Sequence, residues 1–271
     1  MVVVASPGTP PRTTSATFGI RTTDELESLP GRDDPETASP FETRLDAGTL
    51  RCAGGPSLRI PDARRPEDLA WLVAQCRRFP ALGGQNRSGF TFGRELNATE
   101  DRESFGSIGL PVIEGKHIAP FTVDVAASTK RIDVPRVAQL LPGRSYTRAR
   151  LAYRDVSGAG NRRTLIAAIV PAGIVTTHTL FCLRTPLEDV QQHFLCALFN
   201  SSPLNRIVRM LMGSHVTTGL VEHLPVPVWT GDESQMTLAD MARTLAGAGT
   251  SQSDREAIER GIDERASGMY A

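Results

Sequence analysis

The residues best suited to chemistry fall in three short segments. Glu114-Gly115-Lys116 follows the apolar step Pro111-Val112-Ile113. Arg154-Asp155 ends a second apolar run, and Asn161-Arg162-Arg163-Thr164 opens a third. Met212-Gly213-Ser214-His215 ends a helix-like stretch. These segments combine cationic side chains with small residues at turns. That combination suits anion binding: Gly115 permits a tight bend that lets Lys116 or His117 reach a phosphate, and Gly213-Ser214 lets backbone approach one closely. Each segment also has a purely structural reading. Asp155 would orient Arg154 or Arg163 through a bidentate pair, Asn161 and Thr164 would close the loop on its own backbone, and Gly213 would be a left-handed helix cap.

Bond-making chemistry is poorly supplied. No Ser or Cys nucleophile motif accompanies His215. Val156–Asn161 contains Gly158-Ala159-Gly160, but a strand-like run follows where a dinucleotide loop needs a helix, so these glycines read as turn residues. His193 and Cys196 share a helical face, yet two ligands do not make a zinc site. Cys52, Cys76, Cys182 and Cys196 form no C-x-x-C pair and read as free thiols.

The elements that must position these segments follow from composition and periodicity. Thirty basic and thirty acidic residues cancel, so no global field marks the chain as a nucleic-acid binder. The charges are unevenly spread: Lys130–Arg163 holds nine Lys/Arg against two acids, and Gly231–Ala271 holds eight acids against four Arg. Only Lys116 and Lys130 are lysine. Residues 1–60 are rich in Pro, Gly, Thr, Ser and acids and read as a largely disordered or loop-rich, flexible segment. Residues 61–90 form a helical linker, with an amphipathic helix over Pro66–Phe79. Arg163–Pro171 and Ile174–Arg184 read as two strands joined by a Pro-Ala-Gly turn. Thr185-Pro186-Leu187-Glu188 is a capping-box pattern opening a helix to Phe199. Ser202-Pro203 opens another helix, Leu220–Trp229 reads as extended, and helical pieces near Met236–Ala246 and Asp254–Ser267 form a C-terminal extension over 231–271. No apolar run is long enough to span a membrane, and Met1–Pro11 lacks the basic start of a signal peptide, so a cytoplasmic location is expected.

From about Phe92 onward these segments together resemble the C-terminal target-recognition region of TaqI-like adenine-specific DNA methyltransferases, enzymes of type II restriction–modification and related phage-defence systems. The carrying motifs are Leu110–Phe121, the Arg154-Asp155 and Asn161–Thr164 pair, and Leu198–Pro227 with its Leu-Pro-Val-Pro close. Ile113 stands where the family commonly has an aromatic residue, and Arg162 where it has an acid. The closing Ile262–Ala271 is similar to the family's last helix, cut just after Tyr270.

The resemblance implies an α+β fold, a mixed β core over 91–230 with helices on its C-terminal side. It implies double-stranded DNA as ligand, held through Lys116, Arg154, Asn161, Arg162, Arg163, Thr164, Gly213 and Ser214. It also implies a catalytic partner domain, in the same gene or an adjacent one, that uses S-adenosylmethionine. The chain itself has no Asn/Asp/Ser-Pro-Pro-aromatic motif and no Gly-rich strand-to-helix turn, so neither methyl transfer nor a cofactor of its own is expected. Two alternatives stay open: a free-standing specificity subunit that docks on a separate methyltransferase, and an unrelated hydrolase using His117, His178 or His215.

Overall fold

The computed structural model describes residues 13–18, 20, 22–27, 42–84, 89–156 and 162–271. The chain divides into two compact units, Met1–Arg78 and Phe79–Ala271. The boundary thus falls inside the stretch 61–90 that reads as a linker, and the Pro66 helix belongs to the first unit.

In the first unit β1 (Thr13–Thr17) is followed by the short α1 (Thr23–Glu27). β2 (Glu42–Asp46) pairs antiparallel with β1, Thr13 facing Asp46. α2 (Ala47–Gly54) starts at once, because the Asp46 carboxylate accepts the Thr49 amide at 2.7 Å as an N-cap. α3 (Pro66–Arg78) begins on proline and buries Leu69, Leu72 and Gln75. The stretch 1–60 therefore carries regular elements that composition does not suggest. Alternating polar strands such as Glu42-Thr43-Arg44-Leu45-Asp46 bury only the Thr43 and Leu45 side, too little to register as an apolar pattern.

The second unit holds ten short strands and six helices among the described residues. β3 (Phe92–Gly93), β4 (Phe105–Gly106), β5 (Leu110–Ile113), β6 (Ile118–Ala119), β7 (Thr122–Val123) and β8 (Arg131–Ile132) lead into α4 (Val134–Leu140). β9 (Arg150–Arg154), β10 (Ala167–Val170), β11 (Val175–Thr176) and β12 (Leu180–Leu183) follow. Five helices complete the unit: α5 (Asp189–Phe199), α6 (Ser202–Leu211), α7 (Thr218–Val221), α8 (Glu233–Ala246) and α9 (Gln252–Met269).

One four-stranded sheet is antiparallel in the order β10-β9-β12-β3, and a second runs β11-β5-β8-β4. β6 and β7 form a separate hairpin. The fold is mixed α and β, with helices gathered in the C-terminal part, as the sequence leads one to expect. Two local expectations are corrected. The runs 163–171 and 174–184 are not neighbouring strands: β9 lies between β10 and β12, and the second run breaks so that β11 joins the other sheet. The Thr185–Glu188 capping box does not form. Thr185 Oγ1 instead donates to Gly89 O at 2.8 Å and accepts the Thr91 amide at 3.1 Å, and α5 starts only at Asp189.

The two sheets share a polar spine. Glu95 and Arg150 form an ion pair with both side chains essentially buried, through Nε–Oε1 at 2.8 Å and Nη2–Oε2 at 2.7 Å. Glu95 also accepts Ser145 Oγ at 2.6 Å and the Thr176 amide at 2.8 Å, while Arg150 donates to Ile174 O at 2.9 Å. β9 of one sheet is thereby tied to β11 of the other.

Helices α5 and α6 are pegged to the first sheet by buried side-chain amides. Gln192 Oε1 accepts the Leu151 amide at 2.7 Å. Asn200 exchanges both bonds with Ala167, accepting its N–H at 3.2 Å and donating to its carbonyl at 2.9 Å. Asn205 Oδ1 accepts the Thr164 and Leu165 amides at 2.7 and 2.8 Å, and its Nδ2 donates to Phe199 and Ser201 carbonyls, each at 2.9 Å. Tyr270 is buried, donates to Pro225 O at 2.8 Å and packs edge-on against Phe79. No helix among the described residues is long and apolar enough to cross a membrane.

Candidate nucleic-acid interface

Glu114-Gly115-Lys116-His117 closes a single turn of 3-10 helix with a reciprocal cap. The Glu114 amide donates to His117 Nδ1 at 2.8 Å, and the His117 amide returns to Glu114 O at 2.9 Å. His117 is buried by this use, whereas the Lys116 side chain is 71% exposed. Gly115 sits against β12's entry, donating its amide to Thr179 Oγ1 at 2.8 Å. Burial pushes the Glu114 carboxyl up, but hydrogen bonds from Lys130 and Lys116, with their charges, hold it below its ordinary value. The turn therefore presents two lysines around one ionised carboxylate.

Arg154 stands at the end of β9 beside this turn. Its Nη2 donates to Ile118 O, and its Nε is buried without a hydrogen-bond partner. Burial lowers its pKa. An open cleft of about 330 Å³ is lined by Glu114, Gly115, Lys116, Arg154, Val156 and Thr179.

Asp155 pairs with neither Arg154 nor Arg163, against the expectation. Successive residues of an extended chain point to opposite faces, so Asp155 turns away from Arg154. It meets Arg94 Nη2 at 2.7 Å and His215 Nδ1 at 3.4 Å. The Val216 amide donates to Asp155 O at 3.0 Å, which draws the Gly213-Ser214-His215 loop to the same end of β9. Gly213 and Ser214 are exposed there. α6 ends in extended backbone at Met212, and Gly213 is not among the residues of positive φ, so the left-handed cap does not form. A Cβ on Gly213 would meet nothing within 4 Å.

The loop after β9 is used differently from the expectation. Arg162 is exposed, with Nη1 3.7 Å from Glu259 Oε2. Arg163 is buried: its Nη1 donates to Glu259 Oε2 at 2.8 Å, and its guanidinium lies 5.7 Å from the Phe121 ring centre. Thr164 is fully buried, its amide on Asn205 and its Oγ1 accepting Arg209 Nε at 3.0 Å. Arg163 and Thr164 are thus internal bracing groups. The cause is the acidic C-terminal region: α9 brings Glu259 onto the arginine pair, so excess charges of opposite sign in distant stretches partly neutralise each other. Asn161, like Gly158 and Gly160, lies outside the described residues.

The sequence reading missed a second group of cations. Arg94 stacks over the Phe181 ring at 4.7 Å and is about half exposed. Arg184 Nη2 donates to Arg94 O and its Nη1 to Ser145 Oγ at 3.3 Å; Arg148 Nη2 donates to Arg184 O. Strand alternation around Gly93 and Leu183 was the available signal, but such short strands hid it.

The other histidines are engaged locally, His178 Nδ1 accepting the Ala98 amide at 3.0 Å. Among the described residues no group of three His, Cys, Asp or Glu side chains is placed to hold a metal ion. The site combines cations on short, cross-braced turns, Glu114 and Asp155 as their paired carboxylates, and an open cleft beside Arg154. Neither the protein-family models nor the curated proteins compared with this chain give a match.

Proposed function

We propose that the unit 79–271 is a DNA target-recognition module, serving an adenine-specific methyltransferase whose catalytic domain supplies S-adenosylmethionine and the base-flipping pocket. One observation carries the reading. Three segments far apart in the chain, Glu114–Lys116, Arg154–Asp155 and Gly213–His215, meet at one end of β9. They are the segments through which the chain resembles such modules. Lys116 and Arg154 then hold phosphates, with the Gly213-Ser214 backbone alongside them. The module supplies affinity and orientation, and the partner domain performs the methyl transfer.

The test is fluorescence anisotropy of the full chain on a labelled 25-base-pair duplex at several salt concentrations. The expected dissociation constant is roughly 10⁻⁴–10⁻⁶ M at physiological salt, weakening as salt rises. Lys116→Ala should lower the log–log salt slope by about one unit. Absence of binding by the folded chain even at about 50 mM salt, where phosphate contacts are strongest, would refute the reading.

A further inference from the structure

We infer that Cys52 and Cys76 form a redox-active dithiol, which a peroxide converts into a disulfide stapling α2 to α3. The inference concerns the first unit and is independent of the DNA-recognition reading.

Helix packing brings the two sulfurs together. α2 packs against α3. Cys52 lies in the last turn of α2, and its Sγ is 3.9 Å from Val73 O of α3. Val73 and Cys76 stand at i and i+3, so they are neighbours on one face of that helix. The two thiols are hydrogen-bonded to each other. Among the described residues no third His, Cys, Asp or Glu side chain joins them to hold a metal ion.

Accessibility separates this pair from the other cysteines. Cys182 and Cys196 are sealed in the second unit, at 0% and 1% exposure, with Cys182 Sγ on Thr176 Oγ1 and Cys196 Sγ on Ala167 O. Cys52 and Cys76 are only half-buried, within reach of a small oxidant.

The two sulfurs have different roles. Burial, and then the neighbouring Cys52, push the Cys76 thiol up to about 12, so it keeps its proton at neutral pH. Cys52 is therefore the attacking sulfur and Cys76 the resolving one. The Cys52 thiolate attacks a peroxide oxygen and the O–O bond breaks. The departing hydroxide takes up a proton and leaves as water, and Cys52 becomes a sulfenic acid. The Cys76 sulfur then attacks the Cys52 sulfur. The S–S bond forms, the S–O bond breaks, and the second hydroxide leaves with the Cys76 proton as water. Two thiols lose two electrons, and the peroxide is reduced to two waters. From hydrogen-bonding contact the sulfurs must close by roughly 2 Å to reach a disulfide bond length. A shift of the eight-residue α2 as a body supplies that movement.

The test treats the reduced full chain with hydrogen peroxide and reads intact mass and peptide maps. Wild type should lose about 2 Da, the two hydrogens given up in disulfide formation, and two of its four free thiols. Trypsin should release peptides 52–59 and 65–77 as one linked species that dithiothreitol separates. In C76S the sulfenic acid has no resolving thiol, so dimedone should label Cys52. In C52S, Cys76 should stay largely unlabelled, with circular dichroism establishing that both variants fold. The proposal is overturned if folded wild type keeps all four thiols under conditions that fully oxidise free cysteine. Linkage to Cys182 or Cys196, or oxidation of Cys52 to sulfinic acid beside an intact Cys76, would overturn it equally. Equal dimedone labelling of the two variants would overturn the assigned order of attack.

Discussion

Replacing Glu95 with Gln removes one charge from the centre of the second unit and leaves Arg150 buried without a counter-ion. The pair is almost completely shielded, at 1% and 0% side-chain exposure. Breaking such a pair by removing one partner costs about 3–5 kcal/mol. Gln retains one acceptor oxygen for Ser145 or Thr176, which places the cost toward the lower end. Unfolding entropy of about 2.1 cal/mol/K per residue, over roughly 190 residues, gives about 0.4 kcal/mol/K. The melting temperature should therefore fall by about 7–10 °C. Differential scanning calorimetry at pH 7 measures it directly. E95Q/R150M, which removes the orphaned cation as well, should recover a large part of the loss. The pH dependence has a definite sign. Burial raises the Glu95 carboxyl, but Arg150, Ser145 and the Thr176 amide bring it below its ordinary value of 4.5. The wild-type advantage over E95Q is then full above that ordinary value and is lost as pH falls through the lower folded value. A fall of under about 2 °C, or a double variant no better than the single one, would show that the spine does not hold the sheets together.

Asn205→Ala strands the buried Thr164 and Leu165 amides and should cost about 2–4 kcal/mol, read as a lower denaturant midpoint at unchanged slope; an unmoved midpoint would count against the clamp. Gly109 has φ 105°, and a Cβ there would lie 2.1 Å from Ile132 O, so Gly109→Ala should destabilise by at least about 2 kcal/mol in the same assay. Gly213→Ala, in open space, should leave the midpoint within error, and a comparable loss there would contradict the geometry.

What the chain disclosed in advance depended on element length. α3 and α6 were legible because ten or more residues repeat an apolar face behind a Pro start, and α8 and α9 were legible as helical pieces, though both begin before the expected Met236 and Asp254, at Glu233 and Gln252. Strands of two residues, such as β3, β8 and β11, are too short to show alternation, so their pairing into two sheets was hidden. The Lys116 turn and the Arg154 strand end were visible as charged residues beside Gly or after an apolar run. Their juxtaposition was not, since Thr179 and Val216 join them through backbone that any sequence offers. Arg163 reads as a surface cation until α9 places Glu259 against it, and Arg150 reads like any strand-end arginine until Glu95 closes on it. Local patterns carry a residue's type, and only tertiary partners decide whether its charge faces inward or outward.

The amides of Gln192, Asn200 and Asn205 have a consequence for how this surface can vary. Each accepts from particular backbone N–H groups of the β9–β10 ribbon: Leu151, Ala167, and the Thr164–Leu165 pair. A slip of one residue would turn every ribbon side chain to the opposite face and leave these buried groups unmatched. Helices α5 and α6 thus work as a ruler against which the ribbon is measured out. The alignment no longer depends on the connection between the two strands. That connection can be lengthened, shortened or rewritten while Arg154 on one side and Thr164 on the other keep their places, without refolding the frame that carries it.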